Sequence, residues 1–214
     1  MKHLLLPASI LIVSFLNGNS FTISNSLPKD LQNAANVFSK SVEVFGLRVL
    51  STNSVSDAKV LHTANVLAEY LDNDENGTVD QSSVLTKLLG NSKAEIATMV
   101  LFSSENEQIS FGDSLGGLMT VLTRTQNLFA NEIFENGSFG NNRDATLEEV
   151  LHLVTDLGWD EAFPTIWGEQ AGSSIADAMD SARGGYFETV PDQYPDQAWY
   201  TYYDNTSDYP TQIT

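Results

Sequence analysis

Between two helical patterns the chain runs Asp72-Asn73-Asp74-Glu75-Asn76-Gly77-Thr78-Val79-Asp80, with a carboxylate or amide side chain at every even-numbered position but one, where Thr78 has its backbone carbonyl to offer. When a short loop curls, such alternation turns one set of groups inward. Carboxylate, amide and carbonyl oxygens are the ligands a hard cation takes. Gly77 permits the sharp turn that follows the third of them. The stretch reads as a Ca²⁺ loop with Asp72, Asp74, Asn76, the Thr78 carbonyl and Asp80 as ligands. The same residue types also make ordinary turns between helices with no ion. A bare turn, however, needs no such run of acidic side chains.

The spacing resembles the EF-hand loop, in which positions 1, 3, 5, 7, 9 and 12 face the ion and position 6 is Gly. With Asp72 at position 1, Gly77 falls at 6, Asp80 at 9 and Ser83 at 12. The usual twelfth residue is a Glu that supplies two oxygens at once. A Ser hydroxyl supplies one at most, so the resemblance implies a weak site, in the range of extracellular modules at roughly 10⁻⁴ to 10⁻³ M. Such a site is structural rather than regulatory. On sequence alone Asp72 and Asp74 are equivalent, and removing either should cost stability only when Ca²⁺ is present.

Residues 1–20 have the form of a secretory leader: Lys2 and His3, an apolar run from Leu4 to Leu16, and small residues Gly18 and Ser20 before a cut after Ser20. The run is shorter than the ~20 residues of a spanning helix. The expected location is therefore secreted or periplasmic. With 10 basic and 28 acidic side chains the formal charge is −18, which excludes nucleic acid and anionic membranes as partners and leaves a protein or a glycan. An exported chain without cysteine has no disulfides to hold it. A bound Ca²⁺ adds RT ln(1 + [L]/Kd), about 1.4 kcal/mol at tenfold saturation.

Apolar residues Leu31, Ala34, Phe38, Val42 and Phe45 recur every three or four places and predict one amphipathic helix ended by Gly46. Leu47 to Ser51 predicts a strand. Ser56 caps a helix with the stripe Val60, Ala64, Leu67 and Leu71, and Gln81 to Leu89 predicts another, so that residues 57–90 form a helix-loop-helix. His62 lies opposite the first stripe and is read as solvated. Ile96 to Phe102 predicts a buried strand, 103–111 a loop, and 118–134 is ambiguous between helix and strand. Gly137 to Arg143 reads as loop. Thr146-Leu147-Glu148-Glu149 has the form of a capping box opening a helix over 146–158, with Leu147, Val150, Leu151, Val154 and Leu157 as its apolar face. A last helix follows Ser173 and carries Ile175, Ala178, Met179 and Ala182. In the segment 186–214 tyrosines dominate, which suits extended chain packed over helices or a binding surface.

Glu148, Glu149 and His152 share the polar face of the 146–158 helix. The segment Glu148-Glu149-Val150-Leu151-His152 resembles the zincin helix H-E-x-x-H with Glu148 in place of the first histidine. That likeness implies Zn²⁺ held by His152 and Glu148, with Glu149 as general base and Asp156, Asp160, Glu161, Glu169 or Asp177 as further ligands. The plainer reading makes Glu149 a capping-box residue and Glu148 a first-turn acid facing the helix dipole. Only His62 and His152 remain after the leader, so three-histidine and thiolate zinc sites are excluded.

Taken with the 70–80 loop and the 144–158 helix, Ala182-Arg183-Gly184-Gly185 and the segment 194–203 resemble an uncharacterised family of exported microbial and marine proteins. That likeness implies export and a single domain and carries no chemistry. The expected fold is α+β and mainly helical, one domain over 21–214 with a few short strands. No phosphate-binding Gly loop is present, and Gly112-Asp113-Ser114-Leu115-Gly116 has the spacing of a G-x-S-x-G elbow but follows a stretch that reads as loop, where the elbow needs a strand. The expected function is that of a secreted acidic calcium-binding protein of structural or binding role, with a zincin-like metal-dependent hydrolase as the alternative. Asn76, Asn136 and Asn205 head N-x-[ST] sequons.

Overall fold

The computed structural model describes residues 21–118, 120–137, 143–204 and 209–213. The leader with its cut after Ser20, most of the 137–143 loop and the Asn205 sequon lie outside the described residues. The architecture is α+β, with eight α-helices and a four-stranded mixed sheet among the described residues. No described helix is long and apolar enough to cross a membrane.

The sheet has the order β1 (Lys40–Val44), β2 (Leu47–Ser51), β3 (Thr98–Phe102), β4 (Thr125–Phe129). Strands β1 and β2 form a hairpin whose two turn residues, Phe45 and Gly46, both have positive φ, 50° and 88°. This is the handedness that matches strand twist. It also overturns the helix expected over 31–45. Lys29–Ala34 is a 3₁₀ turn that buries Leu31 and Ala34, and the chain then straightens into β1. Val42 and Val44 alternate toward the core, a period of two that the three-and-four spacing concealed.

From β2 onward the strands run parallel, Leu50 pairing with Val100 and Leu101 with Leu128. Helices α1 (Asp57–Leu71) and α2 (Ser82–Leu89) form the first crossover, and α3 (Glu105–Ser110) and α4 (Asp113–Leu118) the second. On β3, Met99 and Leu101 join a core with Val60, Ala64 and Leu67 of α1 and Leu88 of α2, whereas Val100 and Phe102 join Leu31, Phe38 and Leu118. The two crossovers thus cover opposite faces while advancing in the same direction. They have opposite hands, and one departs from the usual right-handed connection.

Where a loop was expected over 103–111, α3 forms because Ser104 accepts the Glu107 N–H at 3.3 Å. The Glu107 carboxylate reaches back to the Ser103 N–H and to the hydroxyls of Thr52 and Ser54. Burial pushes this carboxyl up, but those hydrogen bonds prevail and hold it below its ordinary range.

Helix α5 (Ala145–Val154) starts earlier than expected: Asp144, not Thr146, is its N-cap, with Oδ1 accepting the Thr146 N–H at 3.1 Å. The buried stripe is Val150, Leu153 and Val154, while Leu147 and Leu151 of the expected face are 50% and 41% exposed. Nor does the helix stop at Gly158; it continues as a π-helix over Thr155–Asp160. Gly158 faces α2, and a Cβ there would lie 2.8 Å from Val84 Cγ1. Gly158→Ala should therefore cost about 1–3 kcal/mol through overpacking. Thermal melting checks this; an unchanged midpoint would mean the two helices can part freely.

Short α6 (Pro164–Trp167) leads to α7 (Ser174–Arg183), capped by the Ser173 hydroxyl on the Ala176 N–H at 3.1 Å. Its buried residues are Ala176, Ala182 and Arg183, and Ala178, expected inside, is exposed. The tail is chain packed back on α7: Trp199 and Tyr200 donate their N–H groups to the Ala182 carbonyl. The fully buried Arg183 guanidinium lies 5.6 Å from the Phe187 ring centroid and 5.4 Å from that of Tyr209, in α8 (Tyr209–Ile213). Burial and the hydrogen bond to Asp180 push the Tyr209 hydroxyl up to about 12.

Candidate metal centre

Helix α1 delivers Asp72 to the loop at its C-terminal end, where the residue is only 2% exposed. Its carboxylate accepts the Asn76 N–H at 3.1 Å and the Gly77 N–H at 2.7 Å. Asp74 Oδ1 accepts the Asn76 N–H at 3.3 Å, and Asn76 Oδ1 accepts the Thr78 N–H at 2.9 Å. Each of these side chains is turned inward by a backbone N–H further along the loop, the Asx geometry that such residues favour. At the far end Asp80 Oδ2 accepts the Asn73 N–H at 2.9 Å, and the Asp80 N–H donates to the Leu71 carbonyl at 2.8 Å, drawing the loop's two ends together.

Asp72, Asp74 and Asp80 each present a carboxylate oxygen, and these oxygens all lie within 4.8 Å of one another. Oxygens on opposite sides of a cation bonded at 2.3–2.6 Å stand up to about 5 Å apart, so the cluster has the dimensions of a Ca²⁺ shell. Glu75 takes φ 54° and Gly77 φ 83°, and these two left-handed residues make the turn. Glu75 is exposed. Ser83 lies in the first turn of α2 and is exposed.

The glutamates and histidine of α5 are arranged otherwise. His152 Nε2 stands 4.0 Å from Glu148 Oε1, and Glu148 Oε2 lies 3.3 Å from Arg143 Nη2. Glu149 accepts a hydrogen bond from the Gln126 amide at 2.5 Å, which fastens α5 to β4. Among the described residues His152 joins no group of three or more side chains able to share a metal. A second acidic group does form, from Asp156, Asp160 and Glu169, beside the π-helix. Burial and the neighbouring Asp156 push the Asp160 carboxyl up, against a backbone N–H from Glu169. Glu161, by contrast, pairs with Arg124 at 2.6 Å, and Asp177 is an exposed first-turn residue of α7.

His62, expected to face water, is only partly exposed. Its Nε2 lies 2.7 Å from Asp144 Oδ2, tying α1 to the N-cap of α5. Burial raises the Asp144 carboxyl, yet hydrogen bonds from His62, Thr146 and Phe134 together hold it below its ordinary range. The face of α1 opposite its stripe packs against another helix, which a helical wheel cannot reveal. The tie did leave a trace in the sequence, as an Asp one residue ahead of an Ala-Thr helix start. Comparison of the chain with family models, with curated proteins and with solved structures finds no match.

Proposed function

We propose that the chain is an exported, acidic calcium-binding protein of structural or binding role, a single domain whose α1–loop–α2 unit holds one Ca²⁺ weakly. Asp72, Asp74, Asn76, the Thr78 carbonyl and Asp80 are the ligands. The observation that carries this reading is the convergence of three carboxylates, one of them buried, in a loop whose own N–H groups already aim the side chains. Like charges so close repel, and a bound divalent cation turns that repulsion into attraction. Export is supported by the leader-like residues 4–16 and by the acidic, cysteine-free composition.

Calcium titration by calorimetry should show one site near 10⁻⁴ to 10⁻³ M, roughly the extracellular class, with a rise in melting temperature. No heat and no thermal shift would sink the reading. Ser83→Glu should tighten the site by on the order of tenfold, because it restores a bidentate ligand at position 12. An acid in the first turn of α2 also suits the helix dipole, so affinity rather than stability is the readout. Unchanged affinity would mean that position 83 does not face the ion. No observation of the fold favours the zincin-like alternative at Glu148, Glu149 and His152. One equivalent of Zn²⁺ retained after dialysis and lost in His152→Ala would reverse that judgement.

A further inference from the structure

The calcium loop contains the dipeptide Asn76-Gly77, and its surroundings bear on a reaction of the protein's own backbone. Asn76 and Gly77 are both exposed, and nothing lies within 4 Å of where a Gly77 Cβ would be. The Asn76 side-chain carbonyl accepts the Thr78 N–H at 2.9 Å, which draws electron density from Cγ and stabilises negative charge on its oxygen. The Asn76 amide nitrogen donates to Asp74 Oδ2 at 2.8 Å. The Gly77 N–H donates to the Asp72 carboxylate at 2.7 Å, a base for the proton that nitrogen must lose. An electrophilic amide, a neighbouring backbone nitrogen with no side chain beside it and open access for water therefore meet at one ligand position.

We infer that Asn76-Gly77 is a site of spontaneous deamidation that retunes the calcium loop; the modification stands by itself, and its effect on the ion rests on the calcium reading above. The Gly77 nitrogen attacks Asn76 Cγ, and a new C–N bond closes a five-membered imide. The Cγ–Nδ2 bond breaks, and ammonia leaves with the proton that the Gly77 nitrogen gives up. Water then opens the ring. Addition at Cγ yields an aspartate; addition at the backbone carbonyl carbon yields an isoaspartate, with the chain running through Cγ. One water enters, one ammonia leaves, and nothing is oxidised or reduced.

The two products act in opposite senses. An aspartate adds a formal negative charge among the ligands, and affinity in such loops follows ligand charge. An isoaspartate lengthens the backbone between Asp74 and Asp80 and shifts the later ligands out of register. Calcium in turn slows the reaction, because ring closure needs the Asn76 side chain to leave the ion.

The test is peptide mapping by mass spectrometry of the full chain aged at mildly alkaline pH, in chelator and in Ca²⁺. Asn136-Gly137, exposed and outside the loop's sequence, is the internal reference. Conversion at Asn76 in chelator, slowed about elevenfold when Ca²⁺ is ten times its Kd and with Asn136 indifferent to Ca²⁺, supports the inference. Asn76→Gln should abolish conversion there, and Asn76→Asp should bind Ca²⁺ more tightly than wild type. Asn76 remaining an amide in chelator while Asn136 converts overturns the modification. Equal conversion with and without Ca²⁺, in protein that Ca²⁺ does stabilise, overturns the coupling alone. Equal conversion in protein that Ca²⁺ does not stabilise overturns the calcium reading and the coupling with it, and leaves the deamidation standing.

Discussion

Asp72→Ala is expected to melt below wild type in chelator as well as in Ca²⁺, by about 5–10 °C, the equivalent of roughly 2–3 kcal/mol in a chain of this size. The carboxylate is 2% exposed and satisfies the Asn76 and Gly77 N–H groups, so its loss unmakes the turn even with no ion present. Asp74→Ala should behave differently. Asp74 is exposed, and in chelator that variant should melt with wild type. In Ca²⁺ it should lack only the linkage increment, about 1.4 kcal/mol at tenfold saturation. Paired melts with and without Ca²⁺ separate the two roles. If Asp72→Ala and wild type coincide in chelator, the buried carboxylate does not organise the loop.

The largest effect away from the loop is expected at Arg183. Its side chain is fully buried, donates to Asp180 at 3.0 Å and to the Phe187 carbonyl at 3.4 Å, and faces the rings of Phe187 and Tyr209. Removing one partner of a buried charged network costs about 3–5 kcal/mol, and Asp180 keeps some contact with water, which favours the lower end. Arg183→Ala should thus lower the melting temperature by about 6–12 °C. Amides of residues 199 and 200, which donate to the Ala182 carbonyl, should also exchange faster. Arg183→Lys should recover little, since a point charge cannot replace a planar guanidinium set against two rings. Wild-type exchange at those amides in Arg183→Ala would show that the tail is held by something else.

Elements with a single unbroken signal were legible in the sequence. The stripe Val60, Ala64, Leu67, Leu71 gave α1 because one helical period dominates, and the run Ile96 to Phe102 gave β3 because that strand is buried on both faces. Where two periods coexist the pattern misled. Leu31, Ala34 and Phe38 are all buried, yet they straddle a 3₁₀ turn and a bend, and β1 begins two residues later. In α5 apolar residues lie on both sides, so the stripe that packs is chosen by β4 and α1, not by local spacing. Helix α3 carried a sign that went unread: Ser104 and Glu107 stand three apart, as a cap and its partner do, but with no apolar run behind them. The convergence of Asp72, Asp74 and Asp80 was legible because the chain sets acids at alternate positions around a Gly turn. The burial that sets Asp72 apart from Asp74 was not, since it depends on how α1 meets the sheet.

Strands β2 and β3 are neighbours in the sheet but distant in the chain, and everything from α1 through the loop to α2 lies between partners such as Leu50 and Val100. A parallel pair of this kind gains nothing until its whole connection has closed, so the connection's stiffness enters the rate at which the molecule assembles and not only its final stability. The loop that joins α1 to α2 is held by hydrogen bonds within its own few residues, from Asp72 to Gly77 and from Asp80 to Asn73. Such contacts are local and can form early. They set the angle at which α2 leaves α1 and so shorten the search by which β3 finds β2. A chain whose turn is mis-set, by mutation or by age, would therefore be slow to fold while unfolding at close to its usual rate.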